Sequence, residues 1–220
     1  MSLTPIHQLQ GAGLFSKFAG QFVTTRGVVI GASRKGFFIQ DSAEVGDPGS
    51  SRGLFVYERR RRPPIGSLVE VQGEVVDFQM NSDERPTTQL AERSTRVLEE
   101  QGPVIEPYWL TAERVLVPPH ELAELLNSLE GMLVGLPAGS TFVAPSNPFG
   151  DYVVMPPGAD LVRTHAGGVL IDPNLPDRWL PGFRVLNYGD APRVNVGDEL
   201  LKPVVGPLNF RVASYQMAVD

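Results

Sequence analysis

IGSLVEVQGEVVDF, residues 65–78, is the stretch on which the fold turns. Leu68, Glu70, Gln72 and Glu74 fall on one side of an extended backbone, and Val69, Val71, Gly73 and Val75 on the other, because successive side chains of a strand point to opposite faces. One face is mostly polar and the other has no polar side chain, as a half-buried strand requires. Upstream, GQFVTTRGVVIG (residues 20–31) is β-branched and bounded by glycines, which predicts a long, bent first strand with Gly27 at a bulge. GFFIQD (36–41) and GLFVY (53–57) are compact aromatic strands separated by a loop holding Gly46, Asp47, Pro48 and Gly49. Downstream, TTQLAE (87–92), extended by residues 95–98, supplies a fifth strand. Five strands, with glycines inside the long first and fourth, predict a small barrel over a sandwich.

Composition supports a turn-rich β protein. Of 220 residues, 23 are Gly and 20 are Pro, spread along the chain with no collagen-like period, so they punctuate many short segments. A 42% hydrophobic content with 20% charged residues excludes wholesale disorder. The formal net charge of −6 means that any contact with a phosphate backbone must be local. The lack of cysteine removes disulfides, thiolate metal sites and cysteine nucleophiles together. No stretch is apolar over the roughly 18 residues that a membrane span needs. Met1, Ser2 and Leu3 read as a cloning remnant ahead of Thr4-Pro5-Ile6, which leaves room for a signal peptide removed upstream.

The character of the chain changes over residues 103–119, a connector spaced by Pro103, Pro107, Pro118 and Pro119. HELAELLNSLEG (120–131) then predicts a short helix, with Leu122, Leu125, Leu126 and Leu129 on one face and Gly131 at its end. From Gly131 onward the chain echoes its first part. Gly131-Met132-Leu133-Val134 matches Gly20-Gln21-Phe22-Val23, and Gly150-Asp151-Tyr152-Val153-Val154 matches Gly36-Phe37-Phe38-Ile39-Gln40. VGDELLKPVVGPLNF (196–210) repeats the pattern of residues 65–78, with Gly197 at the place of Gly66, and residues 215–219 supply a closing strand. An irregular, proline-bearing insertion covers residues 156–192. The resulting division is 1–102, 103–130 and 131–220: a barrel module, a proline-rich connector with a short helix, and a second β module.

The order IHQLQGAG, GQFVTTRGVV, GFFIQD with its Gly-Asp-Pro loop, GLFVY, IGSLVEVQGEV and TTQL resembles the amino-terminal OB-fold region of secreted bacterial nucleases of the endonuclease/exonuclease/phosphatase superfamily. The resemblance spans residues 6–98 and continues more weakly through LEGMLV (129–134) and RVNVGDEL (193–200). It implies a mainly β chain of tandem OB-like β-barrels, the second degenerate or carrying a long insertion, joined by the short helix. It also implies an extracellular or periplasmic location, and a nuclease domain of the same polypeptide as partner. That domain would bring an early Asn, a metal-binding Glu, a Gly-Asp-x-Asn segment and a late Asp-His. FRVLNYGD (183–190) looks like the opening strand, but no such series comes after it. The expectation is therefore that the chain is not itself an enzyme and holds no cofactor, with divalent metal confined to the nuclease domain.

Residue chemistry gives a binding site. Arg59, Arg60, Arg61 and Arg62 form the one dense basic run, and Arg34 and Lys35 lie nearby if the barrel closes. Phe38 shares a strand face with Gln40, and Tyr57 ends the third strand, so both are candidate platforms for stacked bases of single-stranded or unstructured nucleic acid. His7, His120 and His165 show no metal-ligand spacing and read as surface residues. Asp41, Glu44 and Asp47 lack the ligand spacing of a calcium loop and read as a solvated turn. Three roles remain open: an accessory nucleic-acid-binding region, a structural or protein-interaction module that positions a catalytic partner, and a free-standing enzyme.

Overall fold

The computed structural model describes residues 2–43, 46–58, 62–79, 85–147, 150–169, 182–185, 192–211 and 214–219. The chain is mainly β. Strands β1 (Phe22–Ser33), β2 (Gly36–Gln40), β3 (Gly53–Tyr57), β4 (Leu68–Phe78) and β5 (Thr87–Glu99) pair in the cyclic order β1-β2-β3-β5-β4. The last pairing, β4 with β1, returns to the starting strand and closes a barrel. All pairs are antiparallel except β3 with β5.

The alternation in residues 65–78 carries through to the packing. Val69, Val71 and Val75 are buried in the barrel core with Val23, Val29, Phe37, Ile39, Leu54, Val56 and Leu90. On the outer face of β4, Glu70 pairs with Arg26 at 2.8 Å and Arg96 at 3.0 Å. Hydrogen bonds from Arg26, with help from Arg96, hold its carboxyl below the usual carboxylate range.

Two local expectations are corrected. The bulge lies between Val29 and Gly31, where the β1–β2 register shifts, and Gly27 pairs regularly with Val69. Gly27 instead marks a close approach: a Cβ there would lie 3.0 Å from both the Gln40 carbonyl oxygen and Ile6 Cδ1. Ile6 belongs to helix α1 (Ile6–Gln10), which no sequence pattern announces and which plugs the barrel with fully buried Ile6 and Leu9. At five residues it is too short to show a helical period.

The connector contributes β6 (Tyr108–Trp109) and α2 (Ala112–Val115), succeeded by α3 (Pro119–Ser128). Pro119 sits at the start of α3, where its missing N–H is harmless. Leu122 and Leu126 of α3 and the nearby Leu129 join the second core, with Leu125 packed against it. Strands β7 (Leu133–Leu136), β8 (Thr141–Phe142), β9 (Asp151–Met155), β10 (Gly182–Val185), β11 (Val204–Arg211) and β12 (Ser214–Val219) complete a seven-stranded mixed sheet, ordered β6-β7-β11-β12-β10-β9-β8.

Four pairings of this sheet run in the same sense and order as four of the barrel. β9–β10 is antiparallel like β2–β3, and β10–β12 is parallel like β3–β5. β12–β11 and β11–β7 are antiparallel like β5–β4 and β4–β1. A direct counterpart of β1–β2 is missing among the described residues. In its place β8, which comes after β7 by way of a short turn, pairs antiparallel with β9. The one strand β1, which reaches two neighbours by bending, is thus replaced by two short strands. The described pairings close no second ring in the strict sense, and the part of the 156–192 insertion covering residues 170–181 lies outside the described residues.

Candidate nucleic-acid interface

The tight turn between β1 and β2 projects Arg34 and Lys35 into solvent at one end of the barrel. The chain leaving β3 returns to that turn: the Glu58 N–H donates to the Lys35 carbonyl oxygen at 3.0 Å. Arg62 Nη2 donates to the Arg34 carbonyl oxygen at 2.9 Å. Arg34, Lys35 and Arg62, from two separate parts of the sequence, therefore lie at one end of the barrel. Glu58 is largely buried beside them. Arg59, Arg60 and Arg61 lie outside the described residues. Tyr57, half-buried, pairs with Gly36 at the same end of the barrel.

Phe38 does not form an open stacking platform. Only 2% of it is exposed, and its ring lies 4.9 Å from that of Phe55. The period of two holds in one respect: Phe37 and Ile39 enter the barrel core and Phe38 does not. It carries no sign that the second unit covers this outer face. The Leu133 N–H donates to Gln40 Oε1 at 2.8 Å, and Ser51 Oγ donates to the Glu130 carbonyl oxygen. The backbones of Gly53 and Gly131 touch so closely that a Cβ on Gly53 would lie 2.0 Å from the Gly131 carbonyl carbon. A Cβ on Gly31 would lie 2.8 Å from the Pro207 ring.

The seam between barrel and sheet also holds a charged cluster that no sequence motif announces. Arg85, just before β5, pairs with Glu130 across the seam at 3.5 Å. Arg85 Nη1 donates to the Tyr215 hydroxyl, and the guanidinium lies 5.6 Å from the Tyr215 ring centre and 5.8 Å from that of Phe210. Burial pushes the Glu130 carboxyl up to about 7; Arg85 opposes the shift and Asp77 adds to it. The Tyr215 hydroxyl is raised by burial and by the nearby Glu130 charge. A small recess at this seam is lined by Gln10, Ser51, Thr88 and Asn127 together with Arg85 and Glu130.

The histidines divide. His120 and His165 are exposed, whereas His7 is largely buried, its Nδ1 lying 3.7 Å from Asp41 Oδ2 beneath Gly46. Asp41 also accepts from the Ile6 N–H at 3.1 Å, and burial raises its carboxyl. Asp47 accepts from the Gly49 N–H at 3.0 Å in a local turn, and Glu44 lies outside the described residues. Of FRVLNYGD, residues 183–185 lie in β10 and the remainder lies outside the described residues. Among the described residues no three His, Cys, Asp or Glu side chains converge to hold a metal ion, and no helix is long and apolar enough to cross a membrane.

Residues 79–220 match the family described as Domain of unknown function (DUF8508), and the chain belongs to that family. No curated protein and no solved structure matches the chain. The matched range opens in the β4–β5 connection, so it takes in β5, Arg85 and the whole second sheet while omitting the other four barrel strands.

Proposed function

We propose that the chain is a non-catalytic nucleic-acid-binding region of tandem OB type, the first unit a closed barrel and the second an interrupted copy. The cyclic order β1-β2-β3-β5-β4, with β3 and β5 parallel, supports the OB reading, and so does the recurrence of four of its pairings in the second sheet. The observation that carries binding is the juxtaposition of Arg34, Lys35 and Arg62 at one barrel end. With Phe38 buried, contact falls mainly on phosphates, with half-buried Tyr57 the stacking candidate left at the rim, so affinity is set chiefly by charge and depends little on sequence. The resemblance of residues 6–98 supports service to a secreted endonuclease or exonuclease, presenting DNA to a nuclease domain of the same polypeptide. Any divalent metal would belong to that domain.

Anisotropy titrations of labelled oligothymidine and oligoadenosine over a range of salt concentrations test the proposal. The expected result is weak binding, similar for the two strands, with log affinity falling linearly against log salt. The Arg34→Ala/Lys35→Ala/Arg62→Ala variant is expected to flatten the slope by about 2, at roughly 0.7 per phosphate contact on a single strand. An unchanged slope, or no binding by the parent chain at low salt, refutes it. The covered face of β2 and β3 favours the second reading, a structural module that positions a partner; absence of binding would leave that reading in place.

A further inference from the structure

The seam places a carboxylate where either of its charge states has structural consequences. Glu130 lies just past the end of α3 and precedes Gly131, the residue pressed against the Gly53 backbone. Its side chain is only 9% exposed, and the groups facing it come from three directions. Arg85, ahead of β5, supplies the one cation among the described residues; Asp77 of β4 supplies a second acid; Tyr215 of β12 supplies a neutral hydroxyl already engaged by Arg85. Gln10, Ser51, Thr88 and Asn127, which also line the recess, carry no charge. Arg85 and Asp77 belong to the barrel side of the seam, and Glu130 and Tyr215 to the sheet side. Parting the two units would hydrate Glu130 and dissolve the Arg85 contacts together.

We propose that Glu130 is a proton-operated latch: neutral, it holds barrel and sheet in the seated arrangement, and ionised, it favours their separation. One cation at 3.5 Å, shared with a tyrosine hydroxyl and two aromatic rings, does not replace the water that an ionised carboxylate loses on burial. Linkage sets the sign. The seated carboxyl titrates at about 7 and the hydrated one at its ordinary 4.5, so the seated state binds the proton more tightly. The stabilisation is therefore full below the hydrated value and is lost as pH rises through the seated value. Between pH 6 and pH 8.5 the ratio of seated to parted molecules is expected to fall roughly tenfold.

Hydrogen exchange on the 220-residue chain tests this through the Leu133 amide, which donates across the seam to Gln40. After correction for the intrinsic rate, its protection is expected to fall roughly tenfold over that interval. In Glu130→Gln, which keeps shape and loses the proton site, protection should stay level. Protection that is level in the parent, that falls equally in the variant, or that falls toward acid overturns the proposal. A carbon-13 titration of the Glu130 carboxyl in the parent chain decides the matter even if Glu130→Gln folds poorly. A midpoint near 7 that rises in Arg85→Met supports the latch, and a midpoint in the ordinary carboxylate range overturns it.

Discussion

Gly53→Ala is expected to lower stability by about 3 kcal/mol, the upper end of ordinary overpacking effects, and so to lower the melting temperature by about 6–12 °C for a chain of this size. The added methyl would sit 2.0 Å from the Gly131 carbonyl carbon and 2.3 Å from the Met132 nitrogen. Both obstacles are backbone, and neither can swing aside as a side chain would. Gly131 itself has a φ of 76°, a left-handed conformation that its own substitution would also strain. Gly66→Ala provides the comparison. With a φ of 91° and no atom within 4 Å of its added Cβ, it should lose only on the order of 1 kcal/mol from backbone conformation. Thermal unfolding of both variants in one buffer separates the clash from the conformational effect. Equal melting temperatures would show that the seam yields easily.

The second large effect is expected from Phe37→Ala. Phe37 is fully buried among Ile39, Leu54, Val56 and Leu90, and removing its ring leaves a cavity in a barrel whose strands are hydrogen-bonded on both sides. The loss should be about 4 kcal/mol, or about 8–16 °C in melting temperature. Because backbone contacts and the Arg85 cluster join barrel and sheet, both should still unfold in one transition, tracked by circular dichroism and, in a Trp179→Phe background, by Trp109 fluorescence. A second transition, with Trp109 in β6 melting at the parent temperature, would show that the sheet stands without the barrel.

Where the chain was legible, a short-range period was coupled to a clear burial difference. The alternation of β4 and the leucine face of α3 are such cases, and the echoes at Gly131 and Gly150 lead to β7 and β9, the positions that correspond to β1 and β2. The bulge was misplaced because glycine serves two purposes in β1: it relieves a close approach at Gly27 and accompanies the register shift at Gly31. Phe38 shows the limit more sharply. Period two reports which face a side chain takes, while on that face Gln40 meets the Leu133 backbone, nearly a hundred residues away in the chain. Arg85, Glu130 and Tyr215 lie in three separate regions that topology brings together; each alone reads as a loop arginine, a helix-end acid and a strand aromatic.

The strand order also dictates a sequence of events during synthesis. β5 closes the barrel, so once residue 99 has left the ribosome the first unit holds every strand of its ring. β7 then has only the two-residue β6 beside it until β11 is made, some seventy residues later. Between the completion of β5 and the synthesis of residues 131–133, the nascent chain displays a finished barrel whose outer face around Gln40 and Gly53 lacks the backbone that later covers it. That face is a docking platform in waiting, and its first occupant is the remainder of the same polypeptide.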